Sequence, residues 1–255
     1  MAESVVTPES GPREKLEAAV IAPHPTRRYR AALFQTYVLF ASVGFVVLAV
    51  LARTIPYFPI DLRVTQTVQS YNYPVFDQLM RAISWLGFGP QVEIIGAAAI
   101  FLLFVIGLRW EAVSAVFAML GVAVGILFKH IVFRPRPSGT LVHVVNILNT
   151  ASFPSGHVMV ATAFGGFFAF LGYTLFKATW GRTVLLLLFA TFISLMGLSR
   201  IYLGQHWFSD VMGAYLIGSL WLALSVKVYR WGKPRYFVHQ PVAAEIPVSG
   251  AVAQH

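Results

Sequence analysis

Long apolar runs separated by short polar breaks dominate the chain, and they set the first expectation. Six runs stand between charges or histidines: Ala31–Ala52, Ile94–Leu108, Ala112–Phe128, Val158–Phe176, Thr183–Ser199 and Val211–Val226. A helix that crosses a bilayer needs about 20 apolar residues. The first and fourth runs reach this alone, and the others do so with their flanks, as Trp207–Ser209 extends the sixth. The second is the weakest, because Glu93 must lie near one membrane face. None shows the one-sided polar stripe of a surface helix on a soluble core. The pattern predicts an all-α fold, a bundle of six transmembrane helices.

Between the first two runs lies the longest connection, Arg53–Pro90. Within it Val75, Phe76, Leu79, Met80, Ile83 and Leu86 recur at helical spacing, with Asp77, Gln78 and Arg81 among them. This predicts a short amphipathic helix, lying in the membrane interface or packed as an ordinary loop helix. Residues 1–30 are polar, mixed in charge and proline-containing, and read as a disordered tail. They are too long and too acidic for a secretory leader, and the run that follows is too long for one, so Ala31–Ala52 reads as a retained anchor. Residues 233–255 read as a second flexible tail, which leaves one membrane domain over 31–232. No internal repeat is visible.

Composition agrees with a bilayer as solvent. Hydrophobic residues make up 57% of the chain and charged residues 11%, where a soluble domain carries about 25% charged residues. The net charge of +9 does not point to nucleic acid, because the basic residues stand between apolar runs and not in one water-facing patch. There is no cysteine, which excludes disulfides and thiolate metal sites.

Orientation follows from the same basic residues. An even number of spans puts both termini on one side, together with Arg13, Lys15, Arg27, Arg28, Arg30, Arg109, Lys177, Arg182, Lys227, Arg230, Lys233 and Arg235. The other side holds Arg53, Arg63, Arg81, Lys129, Arg134, Arg136 and Arg200. Twelve against seven puts both termini in the cytoplasm by the positive-inside bias. The expected location is a bacterial inner (plasma) membrane.

On this topology the remaining polar residues converge. Lys129 and Arg136 follow the outer end of the third span, Pro154-Ser155-Gly156-His157 opens the fourth, Ser199-Arg200 closes the fifth, and His206 and Asp210 open the sixth. All four places fall on one face of the membrane, where charge near hydrocarbon is expensive and signals function. Lys129, Arg136 and Arg200 offer three positive charges, two of them planar forks suited to phosphate oxygens. Ser155 and Gly156 precede an apolar run, so their N–H groups fall at a helix N-terminus, which attracts anions. The sum is a pocket for a tetrahedral oxyanion.

Two histidines stand beside that pocket. His206 and Asp210 are four apart, so on one helix face the carboxylate could hold the ring and fix its tautomer. An imidazole held in this way is a competent nucleophile toward phosphorus. His157 is then placed to protonate the leaving oxygen, help worth about 10²–10⁴-fold. Singly, each piece has a plainer reading: Lys129 and Arg134 as interfacial anchors, His206 and Asp210 as a structural hydrogen bond. Their convergence on one face favours chemistry. His130 reads as structural, and His143 lies in the outer loop within reach of a substrate. His157, His206 and Asp210 match a zinc site in ligand type, but three basic side chains around the same point would repel a cation. No metal and no cofactor are expected.

These residues resemble the motifs of the type 2 phosphatidic acid phosphatase family. The pattern is Lys129 with six residues before Arg136-Pro137, then Pro154–His157, then Ser199-Arg200 with five residues before His206 and three more before Asp210. The longer strings Phe133–Pro137 and Tyr202–Trp207 are similar to its bacterial members. The resemblance covers about Ala31 to Arg230. It implies six transmembrane helices and a metal-independent phosphatase whose site faces the periplasm or exterior. It also implies phosphate binding by Lys129, Arg136, Ser155, Gly156 and Arg200, with His206 as nucleophile, Asp210 as its orienter and His157 as acid. The expected substrate is a lipid phosphomonoester or an isoprenyl pyrophosphate, with phosphatidic acid and phosphatidylglycerophosphate among the candidates. The alternatives are a lipid phosphotransferase using the same phosphohistidine and a non-catalytic lipid-phosphate transporter. Soluble vanadate-dependent haloperoxidases share the motifs, but the six apolar runs argue against them here.

Overall fold

The computed structural model describes residues 24–87 and 89–236. Helix α1, His24–Thr54, is the first span and begins seven residues before its apolar run. The tail expected over 1–30 is therefore helical from His24 onward, and its remainder lies outside the described residues. A long apolar helix propagates readily into flanking polar residues, because each added residue gains a backbone hydrogen bond.

Two helices follow in the connection after the first span, α2 (Pro59–Gln69) and α3 (Pro74–Leu86). Each opens with proline in its first turn, where the missing N–H is no loss, and each carries an early aspartate that suits the helix dipole. Helix α3 is the amphipathic helix expected from the Val75–Leu86 spacing. It buries Met80 and Ser84, and Asp77 pairs with Arg81 one turn on at 2.6 Å. Helix α2 has no counterpart in the sequence reading. Helix α4, Gly89–Val105, continues from α3 across a bend of 61°, and the two together are long and apolar enough for a span.

The third span is α5 (Arg109–Met119) plus α6 (Gly121–Val132). The fourth is α7 (Gly156–Val160), a π-helical turn at Ala161–Gly165, and α8 (Gly166–Leu175). Helices α9 (Trp180–Tyr202) and α10 (Phe208–Tyr236) complete the bundle. The tail expected from 233 is helical to Tyr236, and the rest of it lies outside the described residues. Among the described residues five helical segments are long and apolar enough to cross a membrane, or six with the bent α3–α4 pair. The fold is an all-α membrane bundle.

Helix α10 sits at the centre, packed on α1, α5, α7, the π-helical turn and α8. In a bilayer apolar burial gives little drive between helices, so close packing carries the association. Small residues permit it. A Cβ at Gly121 would meet Trp221 at 2.8 Å, one at Gly125 would meet Met159 at 2.9 Å, and one at Gly166 would meet Leu222 at 2.6 Å. Outward-facing Phe40, Phe101, Leu187 and Leu188 are exposed, as a lipid-facing surface requires.

Candidate functional site

The site forms at one end of the bundle, where polar residues interrupt the spans. Helix α6 ends at Phe133, whose left-handed backbone (φ 52°) turns the chain into a loop running to Ser155. That loop folds back on itself and onto α1: Ser152 N–H donates to Arg134 O at 2.8 Å, and Phe153 is buried against Phe45. The chain then enters α7 with Ser155 at its N-cap.

Each cationic group is held by specific acceptors. Lys129, in the last turn of α6, donates from Nζ to Ala151 O at 2.7 Å. Arg136 donates from Nε to Thr150 O at 2.7 Å, from Nη2 to Thr150 Oγ1 at 2.9 Å, and from Nη1 to Gln205 O at 2.6 Å. Arg200, fully buried at the end of α9, donates from Nη1 to Ser84 Oγ and from Nη2 to Gln205 Oε1. Gln205 thus joins two arginines, one through its backbone carbonyl and one through its side chain.

His206 lies in the turn between α9 and α10, and Gly204 makes that turn possible. Gly204 adopts φ +63°, and a Cβ there would meet His143 O at 2.0 Å. Only glycine tolerates both constraints. The His206 ring is buried, with Nε2 3.2 Å from Arg136 Nη1. A guanidinium can only donate, so Nε2 is the acceptor and the proton of the neutral ring sits on Nδ1. Nδ1 faces the Ser152 hydroxyl at 3.5 Å and Asp210 Oδ2 at 3.7 Å. Burial first, then the positive charges of Arg136, Lys129 and Arg200, holds the imidazole well below its ordinary 6.5. The ring is therefore neutral at neutral pH, with its Nε2 lone pair directed into the cationic cluster.

The Asp210 carboxylate, reached directly from α10's first turn, is fixed from several sides. Its Oδ2 accepts from the Ser152 hydroxyl and from Trp207 N–H at 2.9 Å, and its Oδ1 accepts from Arg134 Nη1 at 2.6 Å. His157 stands in the first turn of α7, within electrostatic reach of Arg200, His206, Arg136 and Lys129. The α3–α4 elbow packs against it, and a Cβ on Gly87 would meet His157 Cδ2 at 2.5 Å.

All eight residues expected from the sequence lie around this cluster, with one difference in detail. The Ser155 N–H, expected to face an anion, donates instead to the Asp210 backbone carbonyl at 3.3 Å. The Ser155 hydroxyl is buried without a hydrogen-bond partner. A Cβ at Gly156 would meet nothing within 4 Å, so its backbone borders open space. His130 Nδ1 bonds back to Ile126 O within its own helix. The backbone N–H of His143 donates to Gln69 Oε1 at the end of α2. Among the described residues, no group of three or more His, Asp or Glu side chains is placed to hold a metal ion.

Several contributors were not found by sequence reasoning. Ser84, Thr150, Ser152 and Gln205 each hold a site group, and Arg134, Asp61 and Ser209 form a buried layer behind it. The one available signal was Asp61 itself, a carboxylate buried in a loop between apolar runs.

Comparison with solved structures places this arrangement in a known fold. The chain superimposes on the transmembrane PAP2 type phosphatidylglycerolphosphate phosphatase of Bacillus subtilis with a TM-score of 0.68 and 21% identity, over 78% of this chain and 98% of that one. It superimposes on Aquifex aeolicus LpxE with a TM-score of 0.54 and 23% identity, over 68% of this chain and 98% of that one. No curated protein matches the sequence at a significant level. The family described as the PAP2 superfamily matches residues 110–234, a stretch that contains Lys129, Arg136, the Pro154–His157 turn, Arg200, His206 and Asp210. The match to the PAP2 superfamily covers these 125 of the chain's 255 residues, and the likeness in fold to the two solved structures extends over the membrane bundle.

Proposed function

We propose that the protein is a metal-independent hydrolase of lipid phosphomonoesters or isoprenyl pyrophosphates, working through a phosphohistidine. The observation that carries this reading is the position of His206 Nε2, whose lone pair faces the Arg136 fork while Asp210 and Ser152 stand behind Nδ1. A structural histidine gains nothing from an array of cations at its only basic nitrogen. A nucleophile aimed at a phosphoryl group requires it.

In this reading Lys129, Arg136 and Arg200, with the Ser155 hydroxyl and the Gly156 backbone, neutralise the phosphoryl oxygens. His206 Nε2 attacks phosphorus, and the bond to the leaving oxygen breaks as His157 supplies its proton. The lipid alcohol, or the lipid monophosphate from a pyrophosphate, departs. His157, now neutral, takes a proton from water as that water attacks the phosphohistidine, which frees phosphate and restores His206. Asp210 supports the positive charge that develops on the imidazole. The scissile group lies at the outer membrane interface, with both termini cytoplasmic, and the lipid tail stays in the bilayer.

The test uses purified protein in detergent and a panel of phosphatidylglycerophosphate, phosphatidic acid and an isoprenyl pyrophosphate. Wild type is expected to release phosphate and to yield an acid-quenched phosphoprotein, and His206→Ala to lose both by roughly 10⁴-fold or more. Undiminished release in that variant would overturn the mechanism. Label moving from donor into a second lipid would identify a phosphotransferase. Binding with neither turnover nor phosphoprotein would identify a transporter.

A further inference from the structure

Behind Asp210 lies a charged layer that this mechanism does not use. Arg134 is 1% exposed and Asp61 is 0% exposed. The Arg134 guanidinium donates from Nη1 to Asp210 Oδ1 at 2.6 Å and to Ser209 Oγ at 2.7 Å, and from Nη2 to Asp61 Oδ2 at 2.9 Å. Its Nε reaches Pro56 O at 3.1 Å, and the Phe58 ring lies 5.0 Å from the guanidinium carbon. Asp61 in turn accepts from Ser209 N–H at 2.8 Å, from Ser209 Oγ at 2.9 Å and from Phe58 N–H at 2.9 Å. Burying three charges is expensive, and the expense is met only when every lone pair and proton has a partner.

Two features tie this layer to the nucleophile. First, Asp210 has two oxygens and only one faces the ring. Arg134 holds Oδ1, so Oδ2 is the oxygen left toward His206 Nδ1 and the Ser152 hydroxyl. Second, the Ser209 N–H taken by Asp61 belongs to the first turn of α10, where backbone donors lack helical partners. Asp61, reaching across from α2, thereby fixes the start of the helix three residues after His206.

Resting on the phosphatase reading above, we infer that Arg134 and Asp61 are positioning residues for the nucleophile: they fix the Asp210 carboxylate and set the net charge behind the imidazole. The groups around His206 are Lys129 from α6, Arg136 from the loop, Arg200 from α9, His157 from α7 and Asp210 from α10, with Arg134 and Asp61 behind Asp210. One guanidinium between two carboxylates leaves a single negative charge behind the ring. Neutralising Asp61 removes it, and neutralising Arg134 doubles it. Negative charge favours the imidazolium, so the two changes move the His206 titration in opposite directions.

The experiment measures kcat/KM against pH for wild type, Asp61→Asn and Arg134→Gln in detergent, normalised to folded protein by size exclusion. The acidic limb, where His206 becomes protonated and loses its lone pair, is expected to move down by roughly half a unit to one unit in Asp61→Asn and up by a similar amount in Arg134→Gln. Titration of the substrate phosphate is common to all three enzymes and cancels in the comparison. Profiles that superimpose, differing only in height, would overturn the inference and leave a packing role. A wild type that releases no phosphate would instead overturn the phosphatase reading. If the charge variants do not fold, Ser209→Ala tests the same idea, since it removes two hydrogen bonds of the layer and no charge. It is expected to lower kcat about three- to tenfold with KM unchanged; an unchanged kcat per folded molecule would overturn the inference.

Discussion

The two polar ends of this bundle are built on opposite principles. At the candidate-site end Lys129, Arg134, Arg136 and Arg200 gather around Asp61 and Asp210, four cations against two carboxylates. At the opposite end Glu111 in α5 meets Lys233 in α10, with the Tyr229 hydroxyl donating to Glu111 at 3.0 Å. The Glu111 cluster is balanced, one charge for one charge, and its groups satisfy each other. The candidate-site cluster is left with positive charge beside a neutral imidazole. A balanced pair staples two helices together, whereas a surplus of buried cations is tolerable only where an anion is to be bound.

The sharpest way to break this contrast is to discharge the candidate-site end. Arg136→Ala removes the fork facing His206 Nε2 together with its hold on Thr150 and Gln205. Loss of one donor to a developing phosphoryl charge lowers turnover about 10²–10³-fold. Steady-state kinetics on the preferred lipid should show that drop mainly in kcat; a change confined to KM would mean that Arg136 only binds.

A smaller but still large effect is expected from geometry alone. Gly204→Ala places a methyl where His143 O lies 2.0 Å away, on a backbone with φ +63°. The turn must shift, and His206 with it. A displacement of about 1 Å at a nucleophile can lower the rate about 10²-fold. Activity should fall by that order while the protein stays monodisperse in detergent, and retained activity would show that the turn adapts without moving the ring.

These two positions mark what the sequence disclosed and what it hid. The spans were legible because a bilayer demands continuous apolar length, and the clustering of the eight candidate residues was legible because polar groups at span ends have few other reasons to exist. The supporting residues were not. Asp61 acts from α2 and Ser84 from α3, in a loop whose spacing fixes a helix but not its partners. Gly87 looks like any helix-ending glycine until its contact with His157 is known. Arg134 read as an interfacial anchor because one-dimensional spacing cannot distinguish a snorkelling arginine from one buried between two carboxylates. The tails erred in the other direction: polar composition suggested disorder from residue 30 back, while α1 extends to His24.

Ser84 gives the third test. Its hydroxyl takes one arm of the Arg200 fork, and Gln205 takes another. With Ser84→Ala the guanidinium keeps its charge but loses one of two side-chain acceptors that aim it. The expected result is a three- to tenfold rise in KM with kcat nearly intact, the size of one ordinary hydrogen bond, because the guanidinium keeps its contact with Gln205. An equal fall in kcat would show that Arg200 acts mainly in the transition state.

The smallest effect belongs to the Glu111–Lys233 end, and it is the control for the whole contrast. Glu111 is buried, but the Lys233 side chain is 38% exposed, so water screens part of the attraction. Glu111→Gln keeps the shape and a hydrogen-bond acceptor for Tyr229 while removing the charge. Because Lys233 can turn toward solvent, the loss should be about 1 kcal/mol and not the several kcal/mol of a sealed pair. The thermal midpoint in detergent is expected to drop by a few degrees. Phosphate release below that midpoint should match wild type in both kcat and KM, because no group of this cluster reaches the candidate site. A loss of turnover in folded Glu111→Gln would mean that the two ends communicate through α10, and that the Glu111–Lys233 pair is more than a staple.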